Sequence, residues 1–462
     1  MNQTKRFLEL LGQKKTKFHV LIAAIIAFWY IALFPGRLGA DYSGLIRIIQ
    51  LHKSSDWFTS TFYWYYRITS FDGRAIFLSS FIGIILLSFA LYFFLFSLPG
   101  SRKSLEKTYL VMLATPFFGV FGVTVSHDVF QVVGLLILIG LEIRIFRKQK
   151  IMNFNFLLIL IAACLMTTHT GIVFIALYAC LLTIRRKFRQ AVILLFVTIF
   201  LFFGTSINID STFVKGARFY YFISDLKCIA QHPEARITAP EWQYLESISN
   251  YSEWKYPITC SSVQYTGEFL KVKPGMEKVT KSLLINYIHI ATRNPAIFIM
   301  SHIQKSRGAL PPPFFQGPEN QVSLDISKPI GFGTNIALQS GPELLHPSID
   351  EPSVKIRIPF LKPLEFIAQI PTFLVNQASW FWGWGGFWLW PICIYWIMKL
   401  RVRKMKDFIV TLHPLVVLHL SLVILVPGAV GRYYMATILI GLTVTILSFI
   451  EYLQKPDRIK AY

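Results

Sequence analysis

Five side chains that could move a proton or hold a phosphate stand where apolar runs of this sequence stop: Asp41, His127, Asp128, His169 and Arg432. A carboxylate beside an acceptor hydroxyl can act as general base, an arginine can grip a phosphate at two points, and a histidine or second carboxylate can orient either partner. They are too far apart to form a linear motif, so the chemistry depends on whether folding gathers them. Each also has a plainer reading. Asp41 could cap the helix after it. His127-Asp128 could be a hairpin turn with the acid capping the next helix, and His169 a turn or packing residue. Arg432 could extend to the lipid headgroups. His413 and His419, inside an apolar run, read as packed or hydrogen-bonded helix residues.

The elements that would position these groups follow from composition. The chain has 462 residues, 54% hydrophobic and 16% aromatic, and a mean hydropathy of +0.51. That is too apolar for an ordinary soluble protein, and several runs approach the ~20 residues needed to cross a bilayer. The net charge of +22 does not point to nucleic acid. It is concentrated in short basic clusters between apolar runs, such as Arg185-Arg186-Lys187-Phe188-Arg189 and Arg401-Val402-Arg403-Lys404-Met405-Lys406, whereas the long stretch 208–371 is nearly balanced. This is the positive-inside pattern of a multi-pass membrane protein with both termini in the cytoplasm.

Ten crossings are predicted. Residues 1–17 form a basic arm and 19–34 the first crossing, which lacks the small-residue cleavage site of a secretory signal. The first outer loop should hold an interfacial helix within 41–70, carrying Phe62-Tyr63-Trp64-Tyr65-Tyr66. Residues 75–96 return through the membrane, and 99–107 form a cytoplasmic turn. The runs 109–146 and 156–184 are too long for single crossings and each has polar residues at its middle. A charge at the bilayer centre costs at least ~3 kcal/mol, so each run reads as a hairpin with His127-Asp128 or His169 at its outer tip. Residues 191–207 make the seventh crossing. The last three belong to 372–462, with Trp380-Phe381-Trp382-Gly383-Trp384 at the start of the eighth, then 408–426 and 433–450. The predicted organisation is an N-terminal membrane domain 1–207, an extracytoplasmic domain 208–371 and a C-terminal membrane domain 372–462.

The extracytoplasmic stretch has enough aromatic residues for a small core, among them Trp242, Tyr244, Trp254, Tyr256 and Tyr265. Its two cysteines, Cys228 and Cys260, could pair in an oxidising compartment or be two unrelated buried thiols. Residues 283–306 read as an amphipathic helical stretch broken at Asn294-Pro295, and 360–370 as an interfacial helix.

A Pro-Gly turn followed by Asp41 after the first crossing, an interfacial helix in the first loop, an Asp at the second outer hairpin and Gly431-Arg432-Tyr433-Tyr434 before a late crossing together resemble the GT-C class of integral-membrane glycosyltransferases. Thr115-Pro116-Phe117-Phe118-Gly119, Ile223-Ser224-Asp225-Leu226 and the run Trp254, Tyr256, Cys260 are similar to a little-characterised bacterial branch of that class. The resemblance implies an all-α, roughly ten-helix membrane enzyme with a mostly helical outer domain, in the cytoplasmic membrane. It would move a sugar from a polyprenyl-phosphate donor to a glycan or lipid acceptor on the outer face, as one step in building a cell-envelope polysaccharide. In that scheme Asp41 is the general base, with Asp128 and His127 assisting. Arg432 and Arg218 are candidates for the donor phosphate, and Tyr433 and His169 for substrate contacts. A divalent cation is compatible with two outer carboxylates but not required by them. Departures from the class are His127 before Asp128, where a lysine or an acid is as familiar, and His169 at a turn that often carries Arg.

Other classes fit parts of the pattern. A lipid-linked oligosaccharide polymerase or ligase would depend on paired outer arginines. A transporter or flippase would place ionisable groups near the midplane and often show repeats. A scaffolding membrane protein gives no reason for acids at two outer helix junctions.

Overall fold

The computed structural model describes residues 2–34, 36–38, 49, 53–55, 59–72, 77–151, 153–168, 170–206, 210–214, 217–257, 260, 270–276, 279–306, 363–364, 367, 370, 385–402, 404–425 and 435–454. Among them the protein is all-α apart from four short strands. Among the described residues three helices are long and apolar enough to cross a membrane: α3 (Phe77–Leu95), α6 (His127–Phe146) and α17 (Met435–Leu453). Six shorter apolar helical stretches accompany them.

Helix α1 (Asn2–Ala32) joins the predicted basic arm and first crossing into one continuous element, because no glycine or proline breaks the join at residues 17–19. It packs against α4 (Arg102–Ala114) and α5 (Pro116–Gly122). Helix α4 begins inside the predicted 99–107 turn. The Ser101 side chain accepts the Ser104 N–H there, so the helix has a cap and can start early. It ends where Pro116 cannot continue it, and α5 starts with that proline in its first turn. The indole of Trp29 on α1 donates to the carbonyl of Leu113 at 2.9 Å and lies on Gly119, where an added Cβ would meet the ring at 1.9 Å.

Helix α6 is the centre of the bundle. It is apolar all round and buried nearly all round, as a fully enclosed helix should be, and it packs against α3, α7 (Phe154–Leu165), α16 (Met405–Leu425) and α17. The surrounding helices are one-sided. On α3, Ser80, Ile84, Leu87 and Leu91 face inward while Phe81, Ile85, Phe89 and Tyr92 are exposed. Apolar side chains in register on the outside are what a lipid solvent calls for. Helices α8 (Gly171–Ile184) and α9 (Phe188–Ser206) and the C-terminal α15 (Leu389–Met398), α16 and α17 complete this core. At the end of α6 away from His127, the fully buried Glu142 takes both Nη atoms of Arg185, at 2.9 and 2.7 Å. His419 sits against Thr437 Oγ1 at 2.9 Å, and the Nδ1 of His413 lies 2.8 Å from the Val410 carbonyl.

A second core is built from α10 (Ala217–Gln231), α11 (Ala239–Ile248), α12 (Tyr251–Lys255), α13 (Lys281–Arg293) and α14 (Pro295–Ser306). Phe219, Ile223, Leu226, Leu245, Trp254, Leu283 and Ile290 fill it. The elbow between α13 and α14 falls at Asn294-Pro295. The Asn294 side chain accepts from the Arg236 N–H at 2.6 Å and donates to the Arg236 carbonyl at 3.0 Å, which fixes the bend against the start of α11. Cys228 and Cys260 form a disulfide, Cα to Cα 5.9 Å. The buried Lys227 beside it donates to the carbonyls of Trp254, at 2.9 Å, and Tyr256.

Candidate functional site

The tip of α6 is assembled from three stretches distant in sequence. The first leaves α1 through Gly36, whose N–H donates to the Leu33 carbonyl at 2.8 Å and whose φ of +123° favours glycine. A Cβ there would also strike the Ser80 hydroxyl. The turn feeds strand β1 (Arg37–Leu38), which pairs in parallel with β3 (Thr124–Val125), Arg37 opposite Thr124 and Leu38 opposite Val125. Strand β2 (Lys53–Ser55), further along the same loop, pairs in parallel with β4 (Asp210–Val214). Helix α2 (Ser60–Thr69) then lays Phe62, Tyr63 and Tyr66 into the bundle core. The aromatic run therefore turns its buried face to neighbouring helices.

The second stretch is Ser126-His127-Asp128. Ser126 is extended and caps α6, its Oγ accepting the Asp128 N–H at 3.1 Å and donating to Asp128 Oδ2 at 2.9 Å. Asp128 is only 2% exposed. His127 Nε2 lies 3.5 Å from the other carboxylate oxygen, and its ring meets Phe62 edge-on with centroids 5.7 Å apart. A buried carboxylate at a helix N-terminus lies in the favourable field of the helix dipole, supported here by a hydroxyl and an imidazole. Asp128 is therefore not the cap expected from the sequence: Ser126 takes that place, and the acid lies inside the first turn with Oδ1 toward the histidine and Oδ2 on the serine.

The third stretch is the turn between α7 and α8. Thr167 Oγ1, which donates to the Cys164 carbonyl at 2.6 Å, also lies 3.4 Å from the His127 carbonyl, and Gln131 on the second turn of α6 donates to Thr170 Oγ1 at 3.1 Å. The turn that carries His169 therefore rests on the first two turns of α6. Thr167 and Thr170 belong to the polar stretch Thr167-Thr168-His169-Thr170-Gly171 that breaks the apolar run in the sequence; Gln131, which joins it to α6, was not singled out, because one amide in an apolar run gives no signal of its partner.

Among the predicted site residues, His127 and Asp128 are thus placed together. Asp41, His169, Arg432 and Tyr433 lie outside the described residues, and Arg218 opens α10 with its side chain likewise outside them. Cys228 and Cys260 belong to the second core. Among the described residues no three His, Cys, Asp or Glu converge as a metal ion would need. The chain matches no protein-family model, no curated protein and no solved structure.

Proposed function

We propose that the protein is a multi-pass glycosyltransferase of the cytoplasmic membrane, taking a sugar from a polyprenyl-phosphate donor and passing it to a glycan or lipid acceptor on the outer face. Ten crossings are assigned: α1, α3, α4 with α5, α6, α7, α8, α9, α15, α16 and α17. Basic residues support this sidedness. Arg102, Lys103, Arg147, Lys148, Arg186, Lys187, Lys399 and Arg401 sit at the ends of these helices away from the Ser126 tip.

The observation that carries the reading is the parallel pair Leu38–Val125. Asp41 follows Leu38 by three residues, as Asp128 follows Val125, and three residues of extended chain span at most ~11 Å. Two acids from two outer junctions thus emerge from one ladder. In the proposed reaction the Asp41 carboxylate takes the acceptor hydroxyl proton as that oxygen bonds to the anomeric carbon. The carbon–phosphate oxygen bond breaks with its electron pair leaving on polyprenyl phosphate, and configuration inverts. Arg432 and Arg218 would hold the phosphate, and Asp128 with His127 would orient the acceptor.

Mass spectrometry of envelope glycans from a deletion strain tests this. Loss of one sugar, restored by the wild type and not by Asp41→Asn, is the expected result. Restoration by Asp41→Asn removes the base. Substrate crossing proteoliposomes without a new glycosidic bond would make the protein a transporter, and a change in glycan chain length alone would make it a polymerase or ligase.

A further inference from the structure

The hairpin α13–α14 of the second core carries apolar surface that this core does not use. Around α13 the side chains divide into three sectors. Leu283, Tyr287, Ile290 and Ala291 turn inward, with the Tyr287 hydroxyl donating to the buried Asp225 at 2.8 Å. Ser282 and His289 form an exposed polar sector with the half-buried Asn286, and Arg293 at its end donates to the buried Glu241 at 2.6 Å. Between them Leu284, Ile285 and Ile288 are exposed, Ile288 by 55%, with Lys281 and Thr292 at the two ends of the same sector. Helix α14 repeats the arrangement. Phe298, Ser301 and His302 turn toward α10, where His302 Nε2 is 3.2 Å from Asp225, while Ala296, Ile299 and Met300, spaced i, i+3 and i+4, are exposed and Ile303 at i+7 is half-buried on the same face.

A helix whose only duty is to cover a water-facing core needs two sectors, one apolar and one polar. The third, exposed and apolar on both arms of one hairpin, marks a contact surface. Its neighbour indicates the contact. Helix α14 packs directly on α16, which is itself an apolar helix with Ile409, Val416 and Leu420 exposed. The two apolar surfaces therefore belong to adjoining elements, which favours lipid as the cover of the first as of the second.

We infer that α13–α14 is a membrane-interface hairpin: Leu284, Ile285, Ile288, Ile299 and Met300 are immersed at the headgroup–acyl boundary of the bilayer, and Ser282 and His289 face water. The second core is then seated on the bilayer by its own apolar surface as well as by the chain connections to α9 and α15. The inference needs the chain to sit in a bilayer but does not need it to transfer a sugar.

Site-directed spin labelling of the full chain in phosphatidylcholine vesicles tests it. Cys180 and Cys393 are replaced by serine, Cys164 is buried, and the Cys228–Cys260 bond is left intact. Labels at Ile288→Cys and Met300→Cys should be relaxed by oxygen more than by a water-soluble nickel chelate, and a label at His289→Cys the reverse. Val192→Cys on the exposed face of α9 is the bilayer control. Nickel access at 288 and 300 with oxygen access at 192 overturns the hairpin assignment alone. Nickel access at all three overturns the membrane placement with it. Labels at 288 and 300 that are immobile and closed to both reagents mean that protein covers the face, which also overturns the inference. Each variant is read only where its melting temperature matches the parent, and the neighbouring pair 288 and 289 keeps the comparison internal.

Discussion

Leu38 and Val125 face each other across a parallel ladder only two residues long. Because a parallel pair cannot be closed by a short turn, this contact joins the exits of two different helices, α1 and α5. It makes the first loop and the tip of α6 one structural unit.

That unit depends on Gly36. A side chain there would need a φ of +123° and would overlap the Ser80 hydroxyl on α3. Gly36→Ala should therefore displace β1 and cut the proposed sugar transfer at least tenfold, although it removes no reacting group. The bundle is held by contacts elsewhere, so detergent-extracted protein should still elute as a single species. Wild-type turnover by Gly36→Ala would show that β1 does not position the site.

Asp128 separates capping from chemistry. Ser126→Ala removes the helix cap and one carboxylate contact and should cost about 1 kcal/mol of stability, with partial loss of activity. Asp128→Asn keeps the shape and a side-chain oxygen but loses the charge beside His127. If Asp128 works on the acceptor, Asp128→Asn loses far more activity than stability in paired turnover and melting measurements. Equal loss in both makes it only a structural partner of the Ser126 cap.

How much of this was legible beforehand depends on the kind of interaction. The break at Asn294-Pro295 could be read because a proline acts locally, within one turn of chain, and the break before α6 because the charges of His127-Asp128 are costly inside an apolar run; in sequence the acid reads as the cap, and the cap is Ser126. The aromatic run 62–66 was recognised as a helix segment, yet its burial against the bundle required partners such as Phe130, whose ring lies 4.5 Å from Tyr65. Glu142 was not singled out at all. It sits in an apolar run four residues before a helix end, and its partner Arg185 read as one of several topological cations. Long-range pairing leaves no periodicity, so neither residue announced the other. The two-residue ladder was equally silent, since Arg37-Leu38 and Thr124-Val125 are too short to carry a strand pattern.

Lys227 predicts a pH dependence. Burial lowers its pKa from the ordinary 10.5 to about 8, against which Glu253 gives partial compensation. Between pH 8 and 10.5 the unfolded chain binds the proton that the folded protein has released, so this residue's contribution to stability rises with pH over that window. Lys227→Met also strands the carbonyls of Trp254 and Tyr256 and should be less stable by ~1–3 kcal/mol. Its deficit relative to wild type should widen from pH 8 to pH 10. Melting curves that stay parallel across that range would show that Lys227 does not titrate there.

The Glu142–Arg185 pair gives the remaining prediction, and its sign depends on which partner is removed. Both Nη atoms of Arg185 engage Glu142, which is fully buried on α6, so the pair ties the central helix to the end of α8. Arg185→Met leaves a carboxylate enclosed by apolar helices with its countercharge gone, and should destabilise by ~3–5 kcal/mol. Glu142→Gln is milder, because the guanidinium is partly exposed and can turn toward water. The double replacement Glu142→Leu with Arg185→Met removes both desolvation costs together and should recover most of the loss, since buried pairs exchanged for apolar residues of similar size are often neutral. Thermal unfolding of the three variants in one detergent measures this. A double variant as unstable as Arg185→Met alone would mean that the pair contributes by geometry, holding α6 and α8 in register, and not by mutual neutralisation.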